Sequence, residues 1–142
     1  MATPTFIKSK LEELAEHVDR IRAHRPRWAR ELSEDRDRLD LVAFNLMLAV
    51  QICGDVANHL LVDERWGPAG TIAAALGTLR ERGVLALATA NALLEAAEQQ
   101  VVIAHGYGAV DPVTVHAIAA RAEEDFGAFA GDIAGWLSRR RP

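Results

Sequence analysis

Apolar residues recur at helical spacing along almost the whole chain. Leu11, Leu14, Val18 and Ile21 predict a first helix over about residues 6–24, and Pro26 breaks or kinks the chain after it. Residues 27–38 are polar and read as a loop or a short helical extension, with Ser33 and Asp35 as a helix-start signal. A second helix follows over about residues 39–64, expected to be the longest and most apolar. Leu41, Val42, Phe44, Leu46, Leu48, Ile52, Val56 and Leu60 leave it little room for a wet face. Such a helix is central, or is shared with a partner subunit. Gly67 and Pro68 end it.

A third helix is predicted over about residues 71–82, closed by Gly83, and a fourth over about 85–104, closed by Gly106. Asp111 and Pro112 read as N-cap and first residue of a fifth helix that runs to about residue 137. The loops are short, and neither an internal repeat nor a long linker divides the chain. The expectation is all-α: an up-and-down bundle of four to five helices, with residues 1–142 as one domain.

Composition supports this. Half of the residues are hydrophobic, a quarter are charged, and Ala and Leu dominate over β-branched and aromatic types. The 142 residues are enough to bury a real core. Cys53 is the only cysteine, so no intramolecular disulfide forms; inside an apolar run it reads as a buried small hydrophobe. No basic-then-apolar leader and no uninterrupted apolar run of about 18 residues is present, so neither a signal peptide nor a membrane span is expected and the chain reads as cytoplasmic.

The net charge of −4 argues against a general nucleic-acid coat, though not against a local cationic cleft. Arg20, Arg22, Arg25, Arg27, Arg30, Arg36 and Arg38 crowd the first quarter, and Arg139–Arg141 form a basic tail. Solvated helix surface is the plain reading of these. Trp28, Trp66 and Trp136 read as core or rim packing. Gly127, Gly131 and Gly135 make a small-residue stripe on the last helix, which reads as a site of close helix packing.

Chemistry concentrates in Gln100-Val-Val-Ile-Ala-His105-Gly-Tyr107. Positions five apart on a continuous helix point about 140° from one another. Gln100, His105 and Tyr107 therefore converge only if the helix ends near His105, which Gly106 allows. A histidine at a helix C-terminus is favoured in its charged form and can serve as acid or base near neutral pH. The plainer reading is a His and a Tyr that cap a helix and pad a loop. Asp55 and His59 are spaced i, i+4 on one helix face, with Asn58 beside them; they read as polar groups lining a cleft or as a satisfied buried pair. No His has Glu three residues before it, and neither His-Glu-x-x-His, Cys-x-x-Cys, Walker loop nor GxGxxG occurs. Neither a metal nor a cofactor is expected.

The chain resembles the HEPN-fold, HepT-like (DUF86-type) family over about residues 6–137. Asn45-Leu46 with Cys53-Gly-Asp55-Val-Ala-Asn58-His59, Gly83-Val84-Leu85, Ala104-His105-Gly106-Tyr107 and Val110-Asp111-Pro112 carry the resemblance, in order and at matching spacing. It implies an all-helical, two-fold dimer whose motifs face a shared cleft. It also implies a metal-independent ribonuclease acting as the toxin of a toxin–antitoxin pair, with a minimal nucleotidyltransferase as antitoxin. By the same resemblance His105 matches the catalytic histidine and Tyr107 the tyrosine that accepts AMP. Asn45, Asp55, Asn58 and His59 are read as a supporting polar shell around that motif. The family's Arg-x4-His-x-Tyr reads here as Gln-x4-His-x-Tyr: Gln100 stands in the arginine's place, Val101 where a polar residue usually follows, and Phe44 where Arg often precedes Asn45.

That change matters chemically. Metal-free RNA cleavage drives a 2′-hydroxyl onto the adjacent phosphate, and the transition-state charge needs a fixed cation or strong donors. Arg supplies a charged fork of donors, whereas Gln supplies a neutral amide. Losing one such stabiliser costs on the order of 3 kcal/mol, about a hundredfold in rate. The expected activity is weak or absent. Two other readings stay open: a non-catalytic helical dimer that binds RNA or a nucleotidyltransferase partner, and an active ribonuclease rescued by an arginine from residues 27–38.

Overall fold

The computed structural model describes residues 2–105 and 110–140, with side chains for 3–100 and 110–140. Six helices follow one another: α1 (Ala2–His24), α2 (Ala29–Glu34), α3 (Arg36–Asp63), α4 (Ile72–Glu81), α5 (Leu87–His105) and α6 (Pro112–Arg140). Several differ from the sequence pattern. α1 starts at Ala2 rather than near Phe6, because Pro4 is tolerated in a first turn whose N–H groups are unpaired anyway. The polar stretch after Pro26 contains a helix of its own. The Trp28 N–H donates to Glu31 Oε2 at 3.3 Å, which starts α2, and Leu32 is fully buried, which anchors it. α6 continues to Arg140, because Arg140 pairs with Asp63 and Glu64 at the end of α3. At 29 residues α6 is therefore one residue longer than α3, which was expected to be the longest.

The caps are local and chemical. Asp35 accepts the Arg38 N–H at 3.1 Å at the start of α3, and Thr71 Oγ1 accepts the Ala74 N–H at 3.0 Å at the start of α4. Asp111 Oδ1 accepts the Val113 N–H at 3.0 Å, with Pro112 as the first residue of α6. Gly83 follows α4 at φ +73°, a left-handed position that suits glycine.

α3 and α6 lie at the centre, side by side and parallel; Leu46 and Val50 meet Val115 and Ile118 at one end, and Asp63 meets Arg140 at the other. α1 and α5 flank this pair and run against it, and each touches both central helices. Among the described residues α1 and α5 do not touch each other, so the four long helices form a diamond in cross-section. α4 packs on α3 and α5, and α2 bridges α3 and α6. The core runs through the diamond, with Phe126, Phe129, Leu14, Ile21, Leu60 and Leu93 all fully buried.

α3 is apolar because it is central. By length and composition it is the one described helix able to cross a membrane, and most of its apolar window is buried inside the fold. Gly54 lets α4 approach it: a Cβ there would lie 2.7 Å from Cγ1 of Ile72. The stripe on α6 behaves differently from the sequence expectation. A Cβ at Gly127 or Gly131 would meet nothing within 4 Å, so among the described residues no neighbouring helix packs closely against these two glycines. Trp66 and Trp136 meet edge to face at 5.9 Å at the rim, covered by the Arg82 and Arg140 guanidiniums, while Trp28 is exposed.

Candidate functional site

Gln100 lies one turn before the end of α5, half-buried between α3 and α6. It borders a small apolar recess with Met47 and Val50 of α3, Ala96 and Gln99 of its own helix, and Val115 and Ile118 of α6. Its Nε2 donates to Gln51 Oε1 at 3.4 Å, and Gln51 Nε2 donates to Asp55 Oδ1 at 3.3 Å. The other Asp55 oxygen is 3.7 Å from Lys10 Nζ on α1. A polar chain thus crosses the face of α3 from α5 to α1: Gln100, Gln51, Asp55, Lys10.

His105 is the last residue of α5, but its side chain, and Tyr107 altogether, lie outside the described residues. The convergence of Gln100, His105 and Tyr107 therefore stays a sequence inference. The helix end it requires is present in the backbone, with α5 stopping at His105 and α6 beginning at Pro112.

The polar residues of α3 separate into different tasks. Asp55 and His59 share a face as the i, i+4 spacing requires, yet each turns to α1. Asp55 meets Lys10, whereas His59 Nε2 is 3.1 Å from Thr3 Oγ1 and its ring stacks on Phe6 at 4.4 Å. The expected contact between the two gives way because α1 runs alongside and offers each a better partner. Asn45 is buried; its Oδ1 accepts from His17 Nδ1 at 2.9 Å and its Nδ2 donates to the Leu41 carbonyl at 2.9 Å. Asn58 Oδ1 accepts the Ala69 N–H at 3.1 Å and holds the turn between α3 and α4. Of the four, only Asp55 is linked to Gln100, and it is linked through Gln51.

Sequence reading missed Gln51 and Lys10. A signal existed for the first: between Asn45 and Asp55, Gln51 is the only amide or charged side chain in an otherwise apolar run. Several N-terminal arginines are held by other groups of the fold. Arg25 donates to the Ala119 carbonyl at 2.7 Å, Arg38 to the His24 carbonyl, and Arg22 bridges Asp19 and Glu123.

Electrostatics add little at this recess. Burial pushes the Cys53 thiol far up, so it is no thiolate nucleophile. Burial also raises Asp125 on α6, with Arg121 opposing and Glu124 and Glu95 adding to the rise. Gln100 and Gln51 offer neutral amide donors that can orient a phosphate oxygen, but they bring no positive charge to it.

The family model described as "Ribonuclease HepT-like" matches residues 11–133. The chain belongs to the HepT-like family. Two solved structures share its fold at 19% identity. One is a tri-AMPylated Shewanella oneidensis HEPN toxin in complex with MNT antitoxin. It has a TM-score of 0.83 and covers 91% of this chain and 96% of the toxin. The other is described as a toxin–antitoxin with AMP-PNP; its TM-score is 0.80, and the match covers 89% of this chain and 96% of the other. No curated protein matches the HepT-like chain. The fold that the motif spacing implied is therefore the fold observed, helix for helix apart from the short α2.

Proposed function

We propose that this HepT-like protein is the toxin-side component of a toxin–antitoxin module, descended from a metal-independent ribonuclease whose catalysis is weak or lost. Family membership supports the module. One observation carries the reading of the activity. Gln100 stands at the motif position between α3 and α6, and its amide is hydrogen-bonded to a second neutral amide, Gln51. His105 is the residual acid or base. Tyr107 is the AMP acceptor for a minimal nucleotidyltransferase antitoxin; the AMP-modified toxin among the structural neighbours supports that assignment. The working form is a cytoplasmic homodimer, with RNA as substrate or ligand. The exposed Phe44 beside half-buried Leu41, Met47 and Leu48 on the outer face of α3 supports a dimer contact next to Gln100.

The test is RNA cleavage by the purified full chain in EDTA, with wild type, His105→Ala and Gln100→Arg compared. The expected result is little or no cleavage by wild type and a gain of about a hundredfold in Gln100→Arg. Strong wild-type cleavage that His105→Ala abolishes overturns the impaired-enzyme reading. If all three are silent, the non-catalytic binding module replaces it.

A further inference from the structure

The loop between α1 and α2 ends in an exposed tryptophan on a braced backbone. Trp28 is 51% exposed, and the Arg27 guanidinium lies over its ring, 5.0 Å from the centroid. Side chains from α2, α3, α6 and the loop itself fix the main chain around it. His116 Nε2 donates to the Pro26 carbonyl at 2.9 Å, and Arg25 donates to the Ala119 and Ala120 carbonyls of α6 at 2.7 and 3.3 Å. Arg38 donates to the His24 carbonyl, and Glu31 accepts the Trp28 N–H. Pro26 and Leu32, on either side of Trp28, are buried. A ring carried this way can receive a ligand with little further ordering, which favours affinity.

The surroundings are cationic in an acidic protein. Residues 20–30 hold five arginines and His24 but neither Asp nor Glu, against a net charge of −4 for the whole chain. Arg22 and Arg25 are taken up by Asp19, Glu123 and the α6 carbonyls. Arg27 and Arg30 are exposed, and among the described residues neither forms an ion pair. Two free cations beside a half-exposed indole match a ligand that is both anionic and aromatic. The nucleic-acid single strand is such a ligand, because its phosphates are charged and its unpaired bases stack on aromatic rings. A duplex hides the faces of its bases in its own stack.

The position fits as well. His116, which holds the loop, is four residues past Pro112, about 6 Å along α6. Its neighbours on α6, Val115 and Ile118, border the Gln100 recess. Consecutive side chains on a helix diverge by about 100°. The Trp28 loop and the Gln100 recess therefore flank the same turns of α6, at the end of the bundle where α5 stops at His105.

We infer that Trp28, with Arg27 and Arg30, is a docking platform for single-stranded RNA. An unpaired base stacks on the exposed indole, and the two guanidiniums neutralise neighbouring phosphates. The inference rests on the reading of this protein as RNA-directed, and it gives the strand a point of attachment outside the motif.

The experiment is fluorescence anisotropy of a labelled uridine oligomer of about 12 nucleotides, within the usual site size of single-strand binders. The full chain is titrated in EDTA, with every variant built on His105→Ala so that the RNA stays intact. Trp28→Ala is expected to weaken binding on the order of tenfold, and Trp28→Phe to retain most of it. Arg27→Gln with Arg30→Gln should lower the slope of log affinity against log salt by about 1.4, or 0.7 for each lost phosphate contact. A duplex of the same length should bind more weakly and ignore Trp28→Ala. Circular dichroism checks the fold, and the arginine pair, which leaves the ring and the core in place, decides by its slope if Trp28→Ala does not fold. Trp28→Ala binding within about twofold of its parent, or an unchanged salt slope, overturns the platform and leaves the RNA reading standing. No binding by the parent at low salt overturns both, and leaves a protein contact as the use of Trp28.

Discussion

Two helical glycines in this protein should answer the same substitution with opposite signs. At Gly54 an added methyl would lie 2.7 Å from Cγ1, 3.1 Å from Cδ1 and 3.3 Å from Cγ2 of Ile72. Ordinary carbon contacts lie near 3.5–4.0 Å, so one contact is about 1 Å too short. Ile72 is β-branched and stiff at χ1, and it is the first residue of a helix whose start is held by the Thr71 cap, so it yields poorly. Overpacking of this kind costs about 1–3 kcal/mol, and the better helix propensity of alanine returns about 1 kcal/mol. Gly54→Ala should therefore destabilise by about 1 kcal/mol, roughly 3 °C in Tm for a chain of this size. Gly77, on α4, has nothing within 4 Å of its missing Cβ, so Gly77→Ala should gain up to about 1 kcal/mol. Urea and thermal unfolding followed by circular dichroism measure both. Adding Ile72→Ala to Gly54→Ala should recover part of the loss, as a favourable coupling of about 1 kcal/mol in a double-mutant cycle. A Gly54→Ala protein as stable as wild type, with no coupling to position 72, would refute the close α3–α4 contact.

Two further predictions concern polar groups inside the bundle. Asn45→Ala removes the acceptor of His17 and the donor to the Leu41 carbonyl in a buried setting, and should cost about 1–3 kcal/mol in the same unfolding assays; a change under about 0.5 kcal/mol would contradict the burial of that pair. Asp125 holds its proton to higher pH in the folded than in the unfolded chain, through burial above all. Its influence favours folding below the unfolded value near 3.9 and is lost as pH rises through the raised folded value, leaving a charged, partly desolvated group at neutral pH. Asp125→Asn should therefore raise the urea midpoint at pH 7, with the gain shrinking toward about pH 4; a gain that grows on acidification would reverse the assigned sign.

Much of this protein could be read from local chemistry. Asp35, Thr71, Gly83 and Asp111 act within one turn of their own positions, so the ends they set were legible without any fold. The apolar run of α3 likewise announced a central helix, because a helix apolar nearly all round has to be covered nearly all round. The order and spacing of the motif stretches carried the family. What tertiary structure decided was which partner each polar side chain takes. Asp55 and His59 share a helix face, but α1 lies alongside and claims both, and no pattern within α3 encodes neighbours 45 and 56 residues away. The Gln51–Gln100 bond is likewise a meeting of two helices. The same holds for glycine. Gly54 and Gly131 look alike in sequence, yet one is filled by Ile72 and the other faces open space. Local propensity and periodicity are properties of a few consecutive residues; contact is a property of the packed bundle, and it assigns the polar groups and the glycines their roles.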